Sequence, residues 1–153
     1  MEVSFELVKG KGYVTDMPGR DQVVINDHSS EESKALFPTE FLLLAMGSCS
    51  SVDVLTVLEK MRKKVERFRC VISSDREEEF PKLLKNPVIG YEFWGDVDLE
   101  SANRAIDISL SKYCNVSITV IRAGINLSYT ISINGTQLAK IPAPGTKEAS
   151  GRN

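Results

Sequence analysis

The amino-acid sequence predicts an α+β domain, and three observations carry that prediction. The first 25 residues alternate apolar and polar side chains between turn signals. From Phe41 to about Lys64 the chain lacks Gly and Pro except at Gly47, as a long helix requires. Beyond it alternating segments return, then amphipathic ones, then a final alternating one.

Val3, Phe5 and Leu7 alternate with polar neighbours, so the N-terminus reads as a strand. Lys9-Gly10-Lys11-Gly12 marks a turn, and Tyr13-Val14 begins a second strand. Met17-Pro18-Gly19-Arg20-Asp21 makes another turn before Val23-Val24-Ile25. The polar loop from Asn26 to Lys34 holds the only histidine, His28, which reads as a solvated loop side chain.

Pro38 suits the first turn of the long helix, and Glu40 near that end complements the helix dipole. The first half is apolar on nearly every face and is expected to be buried all round. The second half, with Val54, Leu55, Val57, Leu58 and Met61, is amphipathic and ends in Lys and Arg. Arg67 to Ser73 alternates, with Phe68, Cys70 and Ile72 on one face. Asp75 to Glu79 reads as a turn or strand tip, and Val88 to Trp94 as a strand. Asp98 caps a helix through Ala102, Ile106, Leu110 and Tyr113. Cys114 to Ala123 reads as a short helix stopped by Gly124, and Leu127 to Ile133 as the last strand. Residues 1–134 are expected to form the domain, and 135–153, small and polar with two prolines, a loosely ordered tail.

A chain of 153 residues with 42% hydrophobic and 26% charged residues fits one domain with its own core. The net charge is only −2, and basic residues are mixed with acids, as in Lys60 to Glu66; this argues against nucleic acid. Met1 to Glu6 carries no signal peptide, and the longest apolar run, Phe41 to Met46, is too short to span a bilayer. The expected location is therefore the cytoplasm, with no membrane partner. There the N-x-[ST] matches at Asn115, Asn126 and Asn134 read as chance. In that reducing compartment three cysteines are not a structural framework.

Cys49 lies in Gly47-Ser48-Cys49-Ser50-Ser51, where small side chains permit close approach of a substrate or another backbone. Cys114 opens a helix, where free amide groups favour a thiolate. Only the fold can bring them within the Cα separation of about 4.4–6.8 Å that a disulfide needs. From the residues alone they are either a catalytic pair or two small buried hydrophobes. Cys70, mid-strand, reads as a buried hydrophobe. The sequence has no Gly-rich phosphate loop, no second histidine, and no CxxC or HExxH spacing. Metal, nucleotide and protease chemistry are accordingly not expected.

Pro38 to Val54 (PTEFLLLAMGSCSSVDV) resembles the P-x-E-L-L-L-A-x-G-x-C-x-x-x-D-V signature of the osmotically inducible protein C and organic hydroperoxide resistance (OsmC/Ohr) family. Lys112-Tyr113-Cys114-Asn115-Val116-Ser117 resembles its second signature, K-Y-C-x-V-S. Ser74 to Glu79 resembles one OsmC-like subgroup, and the similarity runs in order over about residues 10–134. The resemblance implies an intertwined homodimer, with antiparallel sheets wrapped around long central helices and active sites at the interface. It implies that Cys49 attacks a hydroperoxide to form a sulfenic acid and that Cys114 resolves it as a disulfide. A dithiol then reopens that disulfide, and no bound cofactor is needed because sulfur carries the electrons.

The family supplies an arginine from the N-terminal strands to favour the thiolate. Gly19-Arg20-Asp21 resembles that turn, so Arg20 is the candidate. The sequence departs from the family at Thr39, where the well-characterised hydroperoxide reductases carry an acid; here the acid comes one residue later, as Glu40. One helical step turns a side chain by about 100°, so Glu40 is either a displaced arginine partner or a helix-capping or interfacial residue. Asp53, four residues after Cys49, opposes thiolate formation unless a cation neutralises it. Phe41, Leu42 and Met46 suit an organic peroxide, or equally a packed core. The alternatives are a redox-sensing or ligand-binding dimer without efficient turnover, and sulfur or acyl carriage on Cys49.

Overall fold

The structure, a computed structural model, describes residues 1–29 and 32–146. Its N-terminal unit, residues 1–43, holds three short antiparallel strands in the order β1 (Phe5–Val8), β2 (Gly12–Thr15) and β3 (Val24–Ile25). A Cβ at Gly12 would lie 2.4 Å from the Ile25 carbonyl oxygen, so this close approach of two strands requires glycine. Asn26 is buried after β3 and ties down the following loop. Its backbone N–H donates to the Leu36 carbonyl, and its Oδ1 accepts the His28 N–H. His28 is exposed, its ring 4.7 Å from that of Phe37.

Helix α1 (Pro38–Lys60) starts as the sequence indicates. Glu40 reaches back to accept the Phe37 backbone N–H at 2.7 Å, capping the first turn. The helix stops earlier than the expected Lys64. Arg62 adopts a left-handed φ of 59°, the Arg62 N–H donates to the Glu59 carbonyl, and the Lys63 N–H to the Leu58 carbonyl. This is a Schellman closure without its usual glycine, so the sequence carries no stop signal there.

The first half of α1 is not buried all round within the single chain. Met46, Gly47, Ser50, Ser51, Val54 and Leu58 form the buried stripe. Leu42, Leu44 and Val52, at 40%, 47% and 67% exposure, are only partly covered. Complete helix α1, unlike its longest apolar run, is long and apolar enough to cross a membrane by length and composition alone. Its buried stripe, however, is hydrogen-bonded into the protein through Ser50, whose Oγ accepts the Tyr91 hydroxyl.

In the second unit, from residue 44 onward, a four-stranded sheet runs in the order β4 (Lys64–Arg76), β5 (Leu84–Asp96), β6 (Ser128–Ile133), β7 (Thr136–Pro142). β4 alternates as expected, with Phe68, Cys70 and Ile72 half-buried between exposed Arg67, Arg69, Val71 and Ser73. The named strand pairs are antiparallel, as the resemblance implies, except that β5 and β6 run parallel. The reason is topological: helices lie between them in the chain, and a parallel pair needs such a crossover.

The connection comprises α2 (Leu99–Ile108), a π-helical turn (Ser109–Tyr113) and α3 (Asn115–Arg122). Asp98 caps α2 by accepting the Ser101 N–H, and it also pairs with Lys63 at 2.5 Å. The Lys63 contact holds the Asp98 carboxyl below its ordinary range. Gly124, at φ 95°, follows α3 as expected.

The expected loose tail is corrected over residues 136–142, which form strand β7 antiparallel to β6. Asn134 and Gly135, both at positive φ, make the tight turn between them. The domain therefore extends beyond residue 134, and residues 147–153 of that expected tail lie outside the described residues.

The core comprises Ile89, Tyr91 and Phe93 of β5, Tyr129 and Ile131 of β6, and the α1 stripe. At Gly47 a Cβ would lie 2.3 and 2.6 Å from Ile72 side-chain carbons and 3.2 Å from Cys70 Sγ. Gly47→Val is therefore expected to destabilise the fold by about 1–3 kcal/mol through overpacking. Denaturant unfolding checks this, and an unchanged midpoint would show that Ile72 yields freely.

Candidate functional site

Three local structures build the site: the middle of α1, the π-helical turn, and the first turn of α3. Cys49 sits half-exposed on α1, and its thiol points to Asn115 Oδ1 at 3.7 Å. Cys114 is fully buried at the N-cap of α3. Its sulfur accepts the Ser117 backbone N–H at 3.4 Å, and its thiol donates to Ser117 Oγ at 3.2 Å. The Ser117 hydroxyl in turn donates to the Met46 carbonyl at 3.4 Å. Ser117 thus ties the start of α3 to α1 one turn before Cys49.

Burial pushes the Cys114 thiol above its ordinary range, and the neighbouring Cys49 sulfur pushes it further, while the two contacts from Ser117 pull the other way. This corrects the expectation that a helix start would favour a Cys114 thiolate. Desolvation outweighs the amide groups, because the side chain is inside the protein and not at an open helix end.

Beneath α1, the Tyr91 hydroxyl donates to Ser50 Oγ at 2.8 Å, and Ser50 donates to the Gly47 carbonyl. Burial drives the Tyr91 hydroxyl far above its normal range, so it remains a neutral donor. Ser109, from the π-helical turn, reaches the Ser50 carbonyl at 3.2 Å and Asp53 Oδ2 at 3.3 Å. The partner given to the Asp53 carboxylate is thus a hydroxyl; among the described residues it forms no ion pair. Cys70 lies under Gly47, and burial raises its thiol pKa despite a hydrogen bond from Ser51. It has the character of a neutral, half-buried thiol.

The structure brings Cys49 and Cys114 together. Arg20 and Glu40 belong to the N-terminal unit. Arg20 is exposed at the end of a turn closed by its N–H to the Met17 carbonyl, and it forms no ion pair among the described residues. Glu40 caps α1. Two side chains at the site, Asn115 and Ser117, were not singled out from the sequence for roles there. Asn115 stood out only as a glycosylation-like match, and nothing in its spacing links it to Cys49, 66 residues away. Ser117 had a weak signal, since an N-cap residue meets the N–H three positions on. Among the described residues no cluster of three His, Cys, Asp or Glu side chains is placed to share a metal ion.

A family model described as OsmC-like protein matches residues 30–130. The protein YhfA of Escherichia coli (strain K12) is 28% identical over 134 residues, which cover 87% of this chain and 98% of YhfA. The solved structure of a hypothetical protein from Aquifex aeolicus VF5 is also 28% identical and superposes with a TM-score of 0.75, over 87% of this chain and 95% of that one. An organic hydroperoxide resistance protein from Elizabethkingia anophelis shares the fold at 14% identity, with a TM-score of 0.65 over 88% and 97% of the two chains.

Proposed function

The chain belongs to the family of OsmC-like proteins, and from that premise we propose that it is a thiol-dependent peroxidase reducing organic hydroperoxides. The observation that supports this reading most is the meeting of two thiols remote in sequence, one half-exposed and one buried behind it. That arrangement suits a sulfur which meets substrate and a second which waits for the product. The organic hydroperoxide resistance protein among the structural neighbours gives the substrate class its precedent.

The Cys49 thiolate attacks the distal oxygen of ROOH; the O–O bond breaks, RO⁻ leaves and takes a proton as ROH, and Cys49 becomes a sulfenic acid. The Cys114 sulfur then attacks the Cys49 sulfur, forming the disulfide and releasing water. A dithiol reductant exchanges with that disulfide, returning both thiols and leaving as its own disulfide. Arg20 is the candidate for the cation that favours the thiolate. We take the protein to work as a homodimer in the cytoplasm, with the partly exposed apolar side chains Leu42, Leu44 and Val52 of α1 shielded by the partner.

Since its thiol pKa lies above the ordinary range, Cys114 is protonated at neutral pH, and its nucleophilic form is populated only as pH rises. Disulfide closure after one equivalent of peroxide is accordingly expected to accelerate with pH from neutrality into the alkaline range. Stopped-flow thiol loss checks the sign. A closure rate that falls or stays flat over that range would remove Cys114 as the resolving group.

A second reading, a redox-sensing or ligand-binding dimer with little turnover, is favoured by the capping role of Glu40 and by Asp53 beside the cysteine-bearing turn. Steady-state consumption of an organic hydroperoxide with a dithiol separates the two. Wild-type protein that consumes none would favour the sensor.

A further inference from the structure

We propose that Asn115 is a further catalytic side chain, whose carboxamide holds the Cys49 sulfur through the oxidation cycle. Its use in catalysis rests on the peroxidase reading above, whereas its contact with Cys49 rests on geometry alone.

Asn115 is the first residue of α3 and follows Cys114 directly. One turn of one helix therefore carries both the second thiol and the polar partner of the first. Oδ1 of Asn115 is the hydrogen-bond acceptor facing Cys49 Sγ. Among the described residues, two further ionisable groups stand near this sulfur. Cys114 lies against it from the start of α3. Asp53 stands one turn further along α1 with the Ser109 hydroxyl on its carboxylate.

A carboxamide is suited to a sulfur that changes its hydrogen-bonding character. It offers an acceptor oxygen and two N–H donors on one planar group. In the reduced site the oxygen accepts from the thiol. Once the thiol loses its proton, the sulfur needs a donor, and half a turn about the last side-chain bond exchanges oxygen for nitrogen without moving the group. After attack, the sulfenic oxygen accepts from the same N–H, which leaves the sulfur open to Cys114. An ionised carboxylate accepts only, and it adds a negative charge beside a thiolate.

Asn115→Asp isolates this property. The substitution is nearly isosteric, and an acid in the first turn of a helix is favourable, so the fold is expected to be kept. The measurement is the rate of iodoacetamide addition at Cys49, followed by peptide mapping across pH, alongside hydroperoxide consumption with a dithiol. In Asn115→Asp, addition at neutral pH is expected to slow about tenfold, and the profile to move up by about one pH unit. Thr119→Asp, which adds the same charge one turn further along α3, is expected to leave the profile within a few tenths of a unit.

A profile for Asn115→Asp that superimposes on wild type would overturn the proposal. So would a Thr119→Asp shift of equal size. If wild type consumes no peroxide while the Asn115→Asp profile still moves, the peroxidase reading fails and the hold of Asn115 on Cys49 stands. If turnover is present and the profile does not move, Asn115 alone is removed.

Discussion

Cys49→Ser is expected to lower dithiol-dependent consumption of an organic hydroperoxide by at least about a thousandfold, since a serine hydroxyl is neither ionised at neutral pH nor oxidised by peroxide. The substitution is conservative for the fold. Cys49 is half-exposed, and serine keeps a donor for Asn115 Oδ1. Loss of activity with an unchanged melting temperature would therefore report on chemistry and not on unfolding. Retention of more than about a tenth of wild-type turnover would exclude Cys49 as the attacking group.

Cys114→Ser should separate the two halves of the cycle. Serine is a good N-cap and can accept the Ser117 N–H as the sulfur does, so α3 is expected to remain in place. The first oxidation should then proceed, and Cys49 sulfenic acid should accumulate to one equivalent, trappable by a sulfenic-acid reagent. With no thiol behind it, excess peroxide should carry Cys49 on to the sulfinic and sulfonic acids. Turnover with dithiol is expected to fall about a hundredfold, because an intermolecular thiol must replace one held in contact. Mass spectrometry of the Cys49 peptide distinguishes these states. A variant that cycles at the wild-type rate, with no over-oxidised Cys49, would mean that an external thiol performs the resolution directly.

The local elements were legible where side-chain chemistry acts over a few residues. Asp98 announces α2 because its carboxylate meets the N–H three positions on, and Phe68, Cys70 and Ile72 announce β4 by alternation. The end of α1 was not legible, because its closing residue is Arg62, which enters the left-handed region without the glycine that usually marks it. β7 was missed despite a readable sign. Asn134-Gly135 is a hairpin turn, but the small and polar residues after it outweighed that cue. The exposed apolar side chains of α1 show a different limit: an apolar side chain records that it avoids water, not which molecule shields it.

The candidate site divides in the same way. Cys49 and Cys114 stood out by residue type and by their signatures, whereas their adjacency is a property of the crossover that folds α3 back against α1. Asn115 carried no signal toward Cys49, because its role depends on a through-space contact across 66 positions. The sign of the Cys114 shift was misjudged for a related reason. A helix start can be read locally, but the depth at which the fold places it cannot.

The return of the chain through β7 also decides where this protein can safely be shortened. Cutting after Asn134, the boundary suggested by composition, would strip β6 of its outer neighbour from Ser128 to Ile133. The amide and carbonyl groups now paired with Thr136 to Pro142 would face solvent as a bare margin beside an apolar interior. Such a margin invites pairing with a strand from another molecule, so the shortened protein would be prone to clump.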